Sequence, residues 1–335
     1  MDTNKYCFTG AVGTTTIMGT AASKAPQDVC GILRKNGYQN LYVTVRQDDS
    51  AFKRLIIKFI QLRKLFKSVP RGSTVLIQYP IYKFLFLPLI YLKGCKKRVL
   101  IHDLDSIRDK GKLNWVERQN LKSFDEIIVH TDEMKSLLST FFKGKIYVLK
   151  CFDYLLQSDN NYTSKRKLEK SICFAGNINK SKYIASLIKN NPSVEFFLYG
   201  SMDVSLSFEG NYLYEGKFHP DKIGFLKGSW GLVWDGLSIE SCSGTWGEYL
   251  KFIASHKVSL YIVAGLPLIV WSKSAMSKFV KENGLGIIVD SLNDLDKTIS
   301  EVTISEYQLY LQNIEKLAPK LINGEMLGAV LNKMQ

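Results

Sequence analysis

The sequence predicts an α/β protein with two successive parallel β-sheets. The chain of 335 residues is long for one domain and fits two domains of about 150 residues each. Short β-branched or aromatic runs alternate with helix-like segments along its whole length, which is typical of βα units. A polar, aperiodic stretch at residues 159–165 interrupts this alternation, so we expect the domain boundary there.

Six strands are predicted on each side of this boundary, with helices between them. In the first half they are Tyr6–Phe8, Leu41–Val45, Thr74–Gln78, Arg98–Ile101, Glu126–Val129 and Lys145–Leu149. In the second half they are Ser171–Phe174, Val194–Leu198, Tyr212–Tyr214, Gly231–Trp234, Pro267–Val270 and Gly286–Val289. Each run is short and apolar, as the strands of buried parallel sheets are.

Three helical segments have distinct sequence signals. The first is expected to start with Ser23 as its N-cap and Pro26 in its first turn. The apolar stretch Phe84–Leu92 falls short of the roughly 20 residues that span a bilayer, so it predicts a buried helix. A helical region from Ile304 to about Asn332 completes the chain.

The chain is basic, with 45 Lys and Arg against 31 Asp and Glu and a net charge of +14. This excess favours phosphates, nucleic acids or anionic membranes as partners. It is concentrated in Lys53–Arg71, a predicted amphipathic helix with seven basic residues and no acidic one. Such a helix is either a solvated face or a patch that binds an anionic membrane surface.

The expected location is the cytoplasm. The first residues lack the basic-then-apolar order of a secretion signal. Six scattered cysteines without a Cys-x-x-Cys pair indicate neither a zinc site nor a disulfide framework. If Lys53–Arg71 binds lipid, the protein would attach peripherally to the inner face of the plasma membrane.

Two segments of the first half carry candidate functional residues. Thr9–Thr20 is rich in Gly and Thr, so Gly13 and Thr14 are candidate ligand contacts, with a plain βα turn as the alternative. His102 and Asp103 follow a buried strand, where open α/β sheets bind ligands, and are candidate catalytic residues. The alternative is a structural one, in which Asp105 or Ser106 caps the following helix.

In the second half, Phe174–Ser181 is expected to end a strand and begin a helix. Gly176 would let a ligand approach the backbone, and Asn177 and Lys180 could meet phosphate oxygens. The alternative is a turn that is capped by Asn and Ser side chains.

The longest pattern leads into an apolar helix that begins near Ser255 and ends at the Gly265-Leu-Pro267 turn. Four polar side chains precede the helix or lie in its first turn, where cations, hydroxyls and backbone amides can bind two phosphates. These candidates are Lys251, His256, Lys257 and Ser259. A structural, partly buried His256 is the alternative.

Together these motifs resemble bacterial GT-B sugar-nucleotide transferases, in particular the glucosyltransferase-3-like group, which includes galactofuranosyltransferases of surface-polysaccharide synthesis. The stretches that carry the resemblance are Ser23–Asp28, Ile77–Pro80, Ile101–Arg108, Phe174–Ser181, Leu198–Gly200, Tyr214–Gly216, Gly231–Gly236 and, most specifically, His256–Val270. Many retaining members have a Glu-x7-Glu pair, but Phe252 and Leu260 stand at the matching places, which leaves the stereochemical outcome open.

The resemblance implies two Rossmann-like domains that face each other across a cleft. Residues 1–160 would form the acceptor domain, to which the C-terminal helix, about residues 316–335, returns. Residues 166–315 would bind the nucleotide-sugar donor. Beside the candidates above, Tyr199, Gly200 and Asp235 then belong to the donor site.

The expected reaction moves a hexosyl group (glucose, galactose or galactofuranose) from a nucleotide sugar, UDP-linked, to a saccharide or lipid-linked saccharide. It would serve surface polysaccharide or glycoprotein glycan synthesis. Fixed cations and amides stabilise the negative charge on a departing diphosphate, so we expect no metal and no other cofactor. If the reaction inverts, Asp103 or His102 would take the acceptor proton.

Two other functions are weighed against this one. Asp103-Leu-Asp105 is similar to the metal-binding motif of a different glycosyltransferase fold, which would make the enzyme metal-dependent. The net charge also suits a nucleic-acid-binding protein, but the aromatic residues lie mainly in apolar segments, so we expect no nucleic acid partner. Whether the chain forms homo-oligomers is left open.

Overall fold

The protein forms two six-stranded sheets in which every described strand pair is parallel. The computed structural model describes residues 4–10, 21–43, 50–156 and 166–334. Over these residues each of the twelve predicted strands is found, which confirms the predicted α/β fold with two successive parallel sheets.

The first sheet has the strand order β2-β1-β3-β4-β5-β6. Its strands are β1 (Lys5–Gly10), β2 (Tyr38–Val43), β3 (Thr74–Tyr79), β4 (Lys96–Ile101), β5 (Glu126–Val129) and β6 (Lys145–Val148). The helices of this half are α1 (Ala21–Lys35), α2 (Ala51–Ser68), α3 (Phe86–Leu89), α4 (Asp105–Lys110), α5 (Trp115–Lys122) and α6 (Asp132–Ser139).

The second sheet has the order β12-β11-β10-β7-β8-β9. Its strands are β7 (Ser171–Asn177), β8 (Glu195–Ser201), β9 (Tyr212–Gly216), β10 (Trp230–Val233), β11 (Leu268–Trp271) and β12 (Gly286–Val289). The helices are α7 (Ile184–Asn190), α8 (Gly244–Glu248), α9 (His256–Val263), α10 (Met276–Asn283), α11 (Leu295–Glu301), α12 (Ile304–Asn323) and α13 (Glu325–Lys333). A 3-10 turn, Tyr249–Lys251, directly follows α8.

The chain divides into two compact units, each built on one sheet. The first unit includes Ala22–Leu149 and takes in Leu327–Gln335 from the C-terminal end. The second unit includes Lys150–Met326. The segment at which we expect the domain boundary, residues 159–165, lies outside the described residues.

The last helix supplies core residues to the first unit. Leu327, Val330, Leu331 and Met334 are all less than 5% exposed. The Met334 carbonyl also accepts a hydrogen bond from the Arg98 guanidinium, which is buried in β4. These contacts make the C-terminal segment part of the core of the first unit rather than a loose end.

Three helix predictions differ from the structure. In the segment Phe84–Leu92 only the four residues of α3 are helical. The segment is also only partly buried, because Leu85 and Leu89 pack inward while Leu87 and Ile90 face solvent. The terminal helical region is two helices, because Gly324 adopts φ +80° and ends α12. Ser23 is not an N-cap, because α1 already includes Ala21. Within the described residues, no helix has the length and apolarity to cross a membrane.

The six cysteines are all free and buried. Cys7, Cys30 and Cys95 belong to the first unit, and Cys151, Cys173 and Cys242 belong to the second. As expected from their spacing, they form no disulfide.

Candidate functional site

Lys257 is the central cation of the second unit's candidate site. It lies in the first turn of α9, and its Nζ donates a hydrogen bond to the Trp234 carbonyl at 3.2 Å. The same Nζ is 4.6 Å from the centre of the Phe174 ring. Burial lowers the pKa of Lys257, and the nearby negative charge of Asp235 acts in the opposite direction. The lysine is therefore held beside the carboxyl ends of β7 and β10.

Two glycines let the backbone and Lys257 come close together. A Cβ on Gly176 would lie 3.3 Å from Lys257 Cε and 3.0 Å from the Phe174 ring. Gly200 is the register partner of Gly176, and a Cβ there would lie only 1.8 Å from the Gly176 carbonyl oxygen. Gly200 also has φ +125°, a conformation that side chains rarely adopt.

Gly176, Gly200, Asp235 and Lys257 thus come together where β7, β8 and β10 end. The first turn of α9 adds backbone N–H groups that have no partner within the helix. His256 begins this helix and packs on aromatic rings, with centroids 5.2 Å from Tyr154 and 6.0 Å from Phe152. A lysine and a helix N-terminus in one place attract a negatively charged group such as a diphosphate.

Two predicted donor-site residues face the core instead. Ser259 is fully buried, and its hydroxyl donates a hydrogen bond to the Phe152 carbonyl at 2.7 Å. Tyr199 is also fully buried, and its hydroxyl accepts from the Lys227 backbone N–H at 2.9 Å. Both hydroxyls hold neighbouring segments in place, and a role of either residue in ligand binding stays a prediction. Each lies on the inward face of its helix or strand, which a short motif does not reveal.

The predicted helix start at Lys180 is a turn. The helix α7 begins only at Ile184, and the Asn177 Oδ1 accepts a hydrogen bond from the Lys180 N–H at 3.2 Å. The Ser181 hydroxyl donates to the Asn177 carbonyl at 3.0 Å, so this is the Asn- and Ser-capped turn that was the alternative. The Lys180 side chain remains exposed, with its Nζ 5.2 Å from the ring of Trp246.

Trp246 was missed by the sequence reasoning, although an aromatic residue in the polar segment Ser243–Gly247 is a usable signal. Its side chain is 46% exposed. Lys251 lies in the 3-10 turn before α9, where its Nζ forms an ion pair with Glu248 and lies 5.5 Å from the centre of the Trp271 ring. The Lys251 charge is thus partly balanced by Glu248.

In the first unit, His102 and Asp103 follow β4 as predicted, and each is held by a neighbour. The His102 Nε2 lies 2.7 Å from the Gln78 Oε1 at the end of β3. The Asp103 carboxylate contacts the Arg108 guanidinium at 3.0 Å, and Asp105 contacts the same guanidinium at 2.9 Å. Burial raises the pKa of Asp105, and the charge of Arg108 opposes this shift.

The Arg108 contacts bear on the metal-dependent alternative. Both carboxylates of Asp103-Leu-Asp105 already contact one cation, so a metal ion would have to compete with Arg108. In the part of the chain that the structure describes, no group of three or more His, Cys, Asp or Glu side chains is placed to hold a metal ion.

A buried carboxylate that the sequence reasoning missed supports this loop. Glu117 is 3% exposed and accepts hydrogen bonds from the Tyr79 hydroxyl at 3.1 Å and the Ser106 N–H at 3.1 Å. Burial raises the pKa of Glu117, and the Ser106 and Tyr79 donors act against that shift. These bonds fix the start of α4 beside Asp103. Gly13 and Thr14 lie outside the described residues.

Comparisons with known proteins cover both units. Residues 14–145 match the family model described as glucosyltransferase 3-like, N-terminal domain, and residues 172–334 match the C-terminal domain of the same description. The chain is 30% identical over 321 residues to the beta-1,6-galactofuranosyltransferase WbbI of Escherichia coli (strain K12), covering 94% of each chain. It is 24% identical over 324 residues to glucosyltransferase 3 of Streptococcus gordonii, covering 92% of each.

A solved structure agrees with the fold. HepE from Anabaena, in complex with UDP, superimposes with a TM-score of 0.62 at 11% identity, covering 98% of this chain and 99% of that one. The two family matches cover most of each unit, with β1 and nearly all of β6 outside the matched ranges. They support the transferase prediction over a nucleic-acid-binding protein. The chain belongs to the glucosyltransferase 3-like family, has the GT-B fold and is a hexosyltransferase.

Proposed function

We propose that this enzyme transfers glucose, galactose or galactofuranose from a UDP-linked sugar to a saccharide hydroxyl, in the synthesis of a surface polysaccharide or a glycoprotein glycan. The observation that carries the proposal is Lys257 in the first turn of α9, held over Gly176 and close to Asp235. The relatives named above are a galactofuranosyltransferase and a glucosyltransferase, and the HepE complex contains UDP.

On this proposal the second unit binds the donor diphosphate. Negative charge develops on the leaving diphosphate as its bond to the sugar breaks. The Lys257 ammonium and the N–H groups of α9 are already oriented, so little reorganisation is needed when that charge appears. Because protein groups supply this positive charge, we propose that transfer needs no metal ion.

The first unit then handles the acceptor, a saccharide or lipid-linked saccharide. For an inverting transfer, a base must take the acceptor proton. Proton transfer to Asp103 would disrupt its 3.0 Å ion pair with Arg108. A neutral His102 ring has one nitrogen that can accept a proton. We therefore assign the proton to His102, with Asp103 orienting the acceptor.

The donor assignment is tested by screening UDP-, GDP- and dTDP-sugars for thermal stabilisation of the full chain. A ligand at 100 times its dissociation constant adds about 2.7 kcal/mol to stability, so the donor should stand out. The donor that is found is then offered with candidate saccharides, with and without a chelator. Stabilisation by UDP-sugars and full transfer in chelator are expected, whereas transfer that stops in chelator would contradict metal independence.

We also propose that the first unit docks on an anionic membrane at the cytoplasmic face. The supporting observation is the helix α2 and its neighbour α3. Between Ser50 and His102 the sequence has twelve Lys and Arg and no Asp or Glu. Five apolar side chains in or directly after these two helices are 44–73% exposed: Phe52, Ile56, Ile60, Leu87 and Ile90. Apolar side chains beside basic ones are typical of helices that lie in a membrane interface.

Vesicle flotation tests this docking. Each basic residue near an anionic surface contributes about 1 kcal/mol, so Arg54→Gln with Lys64→Gln should reduce partitioning about 30-fold. The matched control is Lys297→Gln with Lys320→Gln, the same charge change on exposed residues of the second unit. Equal flotation of the two double variants, or of neutral and anionic vesicles, would count against membrane docking but not against the transferase.

A further inference from the structure

Gln78 connects the candidate base to the interior of the first unit. The side chain lies at the end of β3 and is 2% exposed. Its Oε1 is 2.7 Å from His102 Nε2. The His102 backbone N–H donates to the Tyr79 carbonyl at 2.7 Å, so both the backbone and the ring of His102 are held by the end of β3.

The surroundings of Gln78 determine which way its amide points. Its Nε2 lies 3.4 Å from the Pro26 carbonyl oxygen and 3.2 Å from Cys30 Sγ. A carbonyl oxygen only accepts hydrogen bonds, so it must face the NH₂ group of the amide. The reversed amide would place two oxygen acceptors against each other at this buried position. The Gln78 oxygen therefore faces His102.

An oxygen acceptor in that place selects one form of the histidine ring. In the neutral ring one nitrogen carries hydrogen and the other has a lone pair. Because Gln78 Oε1 can only accept, His102 Nε2 must be the nitrogen that donates. The lone pair then resides on Nδ1.

We propose that Gln78 is a positioning residue that fixes neutral His102 as the Nε2–H tautomer, so that Nδ1 is the atom that takes the acceptor proton. The tautomer is argued from the contacts of Gln78, while the catalytic consequence rests on the proposed function. Gln78 itself touches no reacting atom and acts through His102.

The tautomer is read directly by ¹⁵N NMR of the full-length enzyme labelled at histidine. The chain has four histidines, and a His102→Ala variant identifies the His102 resonances. In the wild-type protein, Nε2 should give a signal typical of a protonated nitrogen and Nδ1 that of an unprotonated one. Methionine has a side chain of similar length but no amide oxygen. In Gln78→Met the Nε2 and Nδ1 signals of His102 should therefore move toward each other.

Kinetics supply the second readout. We expect Gln78→Met to lower kcat about 10²-fold, the lower end of what positioned proton transfer supplies, with little change in the KM for the nucleotide sugar. Gln78→Glu keeps an oxygen acceptor for Nε2–H and, with its second oxygen protonated toward the Pro26 carbonyl, should restore the tautomer and much of kcat. Gln119→Met on α5 is the matched control, and thermal unfolding of each variant checks that the fold is kept.

Each result decides the proposal. An Nδ1–H signal in the wild-type protein, an unchanged tautomer in Gln78→Met, or a changed tautomer with unchanged kcat would each overturn it. Wild-type protein that transfers no hexosyl group from any nucleotide sugar would instead overturn the proposed function, and the NMR signals would still decide whether Gln78 sets the tautomer.

Discussion

At the residue scale, Lys257 is a partly buried lysine whose ammonium group lies close to the ends of strands. Its ammonium is enclosed by Phe174 and the Trp234 carbonyl, and Asp235, followed by Cys242, opposes the lowering of its pKa by burial. Desolvation raises the strength of any ion pair that it forms with a bound phosphate. A small number of contacts can therefore account for much of the donor affinity.

Replacing Lys257 by Ala should weaken UDP binding by about 10–100-fold, because a hydrogen bond to a charged group is worth about 1.5–3 kcal/mol. Isothermal titration calorimetry with UDP measures this change. Lys278→Ala is the control, since Lys278 is an exposed lysine of α10 with a long 3.8 Å contact to Glu282. Equal affinities of the two variants would remove Lys257 from the donor site.

The lowered pKa of Lys257 also predicts a pH dependence. Diphosphate binding needs the protonated amine, so UDP affinity should be complete below the lowered pKa and should fall as the pH rises through it. In Lys257→Arg the cation stays protonated, so the alkaline loss of affinity should disappear or move to higher pH. Titrations of UDP from neutral to alkaline pH compare the two proteins, and superimposable curves would contradict the assignment.

The backbone conformation at position 200 requires a glycine, whether or not a ligand binds there. An alanine there would collide with the Gly176 carbonyl and adopt a strained φ, which costs about 1–3 kcal/mol for the strain alone. Gly216→Ala is the matched control, since it has φ +84° and open space around the added Cβ. Chemical denaturation should show a larger loss in the free energy of unfolding for Gly200→Ala than for Gly216→Ala. Equal losses would mean that a small backbone shift removes the collision at little cost in stability.

At the element scale, α13 links the C-terminal end of the chain to the first sheet. Leu331→Ala removes a side chain that is 4% exposed and should destabilise the first unit by about 2–5 kcal/mol. Hydrogen exchange of the β4 amides measures this effect locally. Asn332→Ala, the exposed neighbouring position, should leave the exchange unchanged.

The elements also show what the sequence could and could not predict. The twelve strands were predictable because each is a short apolar run that is buried in a parallel sheet. The partial exposure of the segment around α3 was not, since Leu87 and Ile90 are as apolar as the buried Leu85 and Leu89. Composition alone does not distinguish an apolar side chain that packs inward from one that is left on the surface.

The candidate site was predictable only in part, for a related reason. The sequence motifs predicted Gly176 and His102 at the carboxyl ends of strands, where open α/β sheets bind ligands, and Lys257 at the start of an apolar helix. Gln78 and Glu117 could not be found in this way, because Gln78 contacts His102 from 24 positions away and Glu117 contacts Tyr79 from 38. Such partners are defined by which strands and helices become neighbours, and no local pattern contains that information.

At the scale of the whole molecule, the charge is unevenly distributed. The net charge is +14, and twelve basic residues without an acidic one fall between Ser50 and His102. Electrostatic attraction to an anionic vesicle is screened over about 8 Å at physiological ionic strength and about 3 Å at 1 M salt. We therefore expect flotation with anionic vesicles to decrease steeply with salt. Flotation that is insensitive to salt would mean that the exposed apolar side chains of α2 and α3 dominate.

The six buried thiols give the enzyme a native set of probes for local opening. Alkylating reagents attack the thiolate, and a buried thiol must first reach solvent. Burial raises the pKa of Cys151 to about 12, which further suppresses its reaction in the closed state. Since three thiols lie in each unit, mass-resolved alkylation rates would report the opening of each unit separately, without any introduced label. A donor bound to the second unit should slow the labelling of Cys151, Cys173 and Cys242 before it affects the other three.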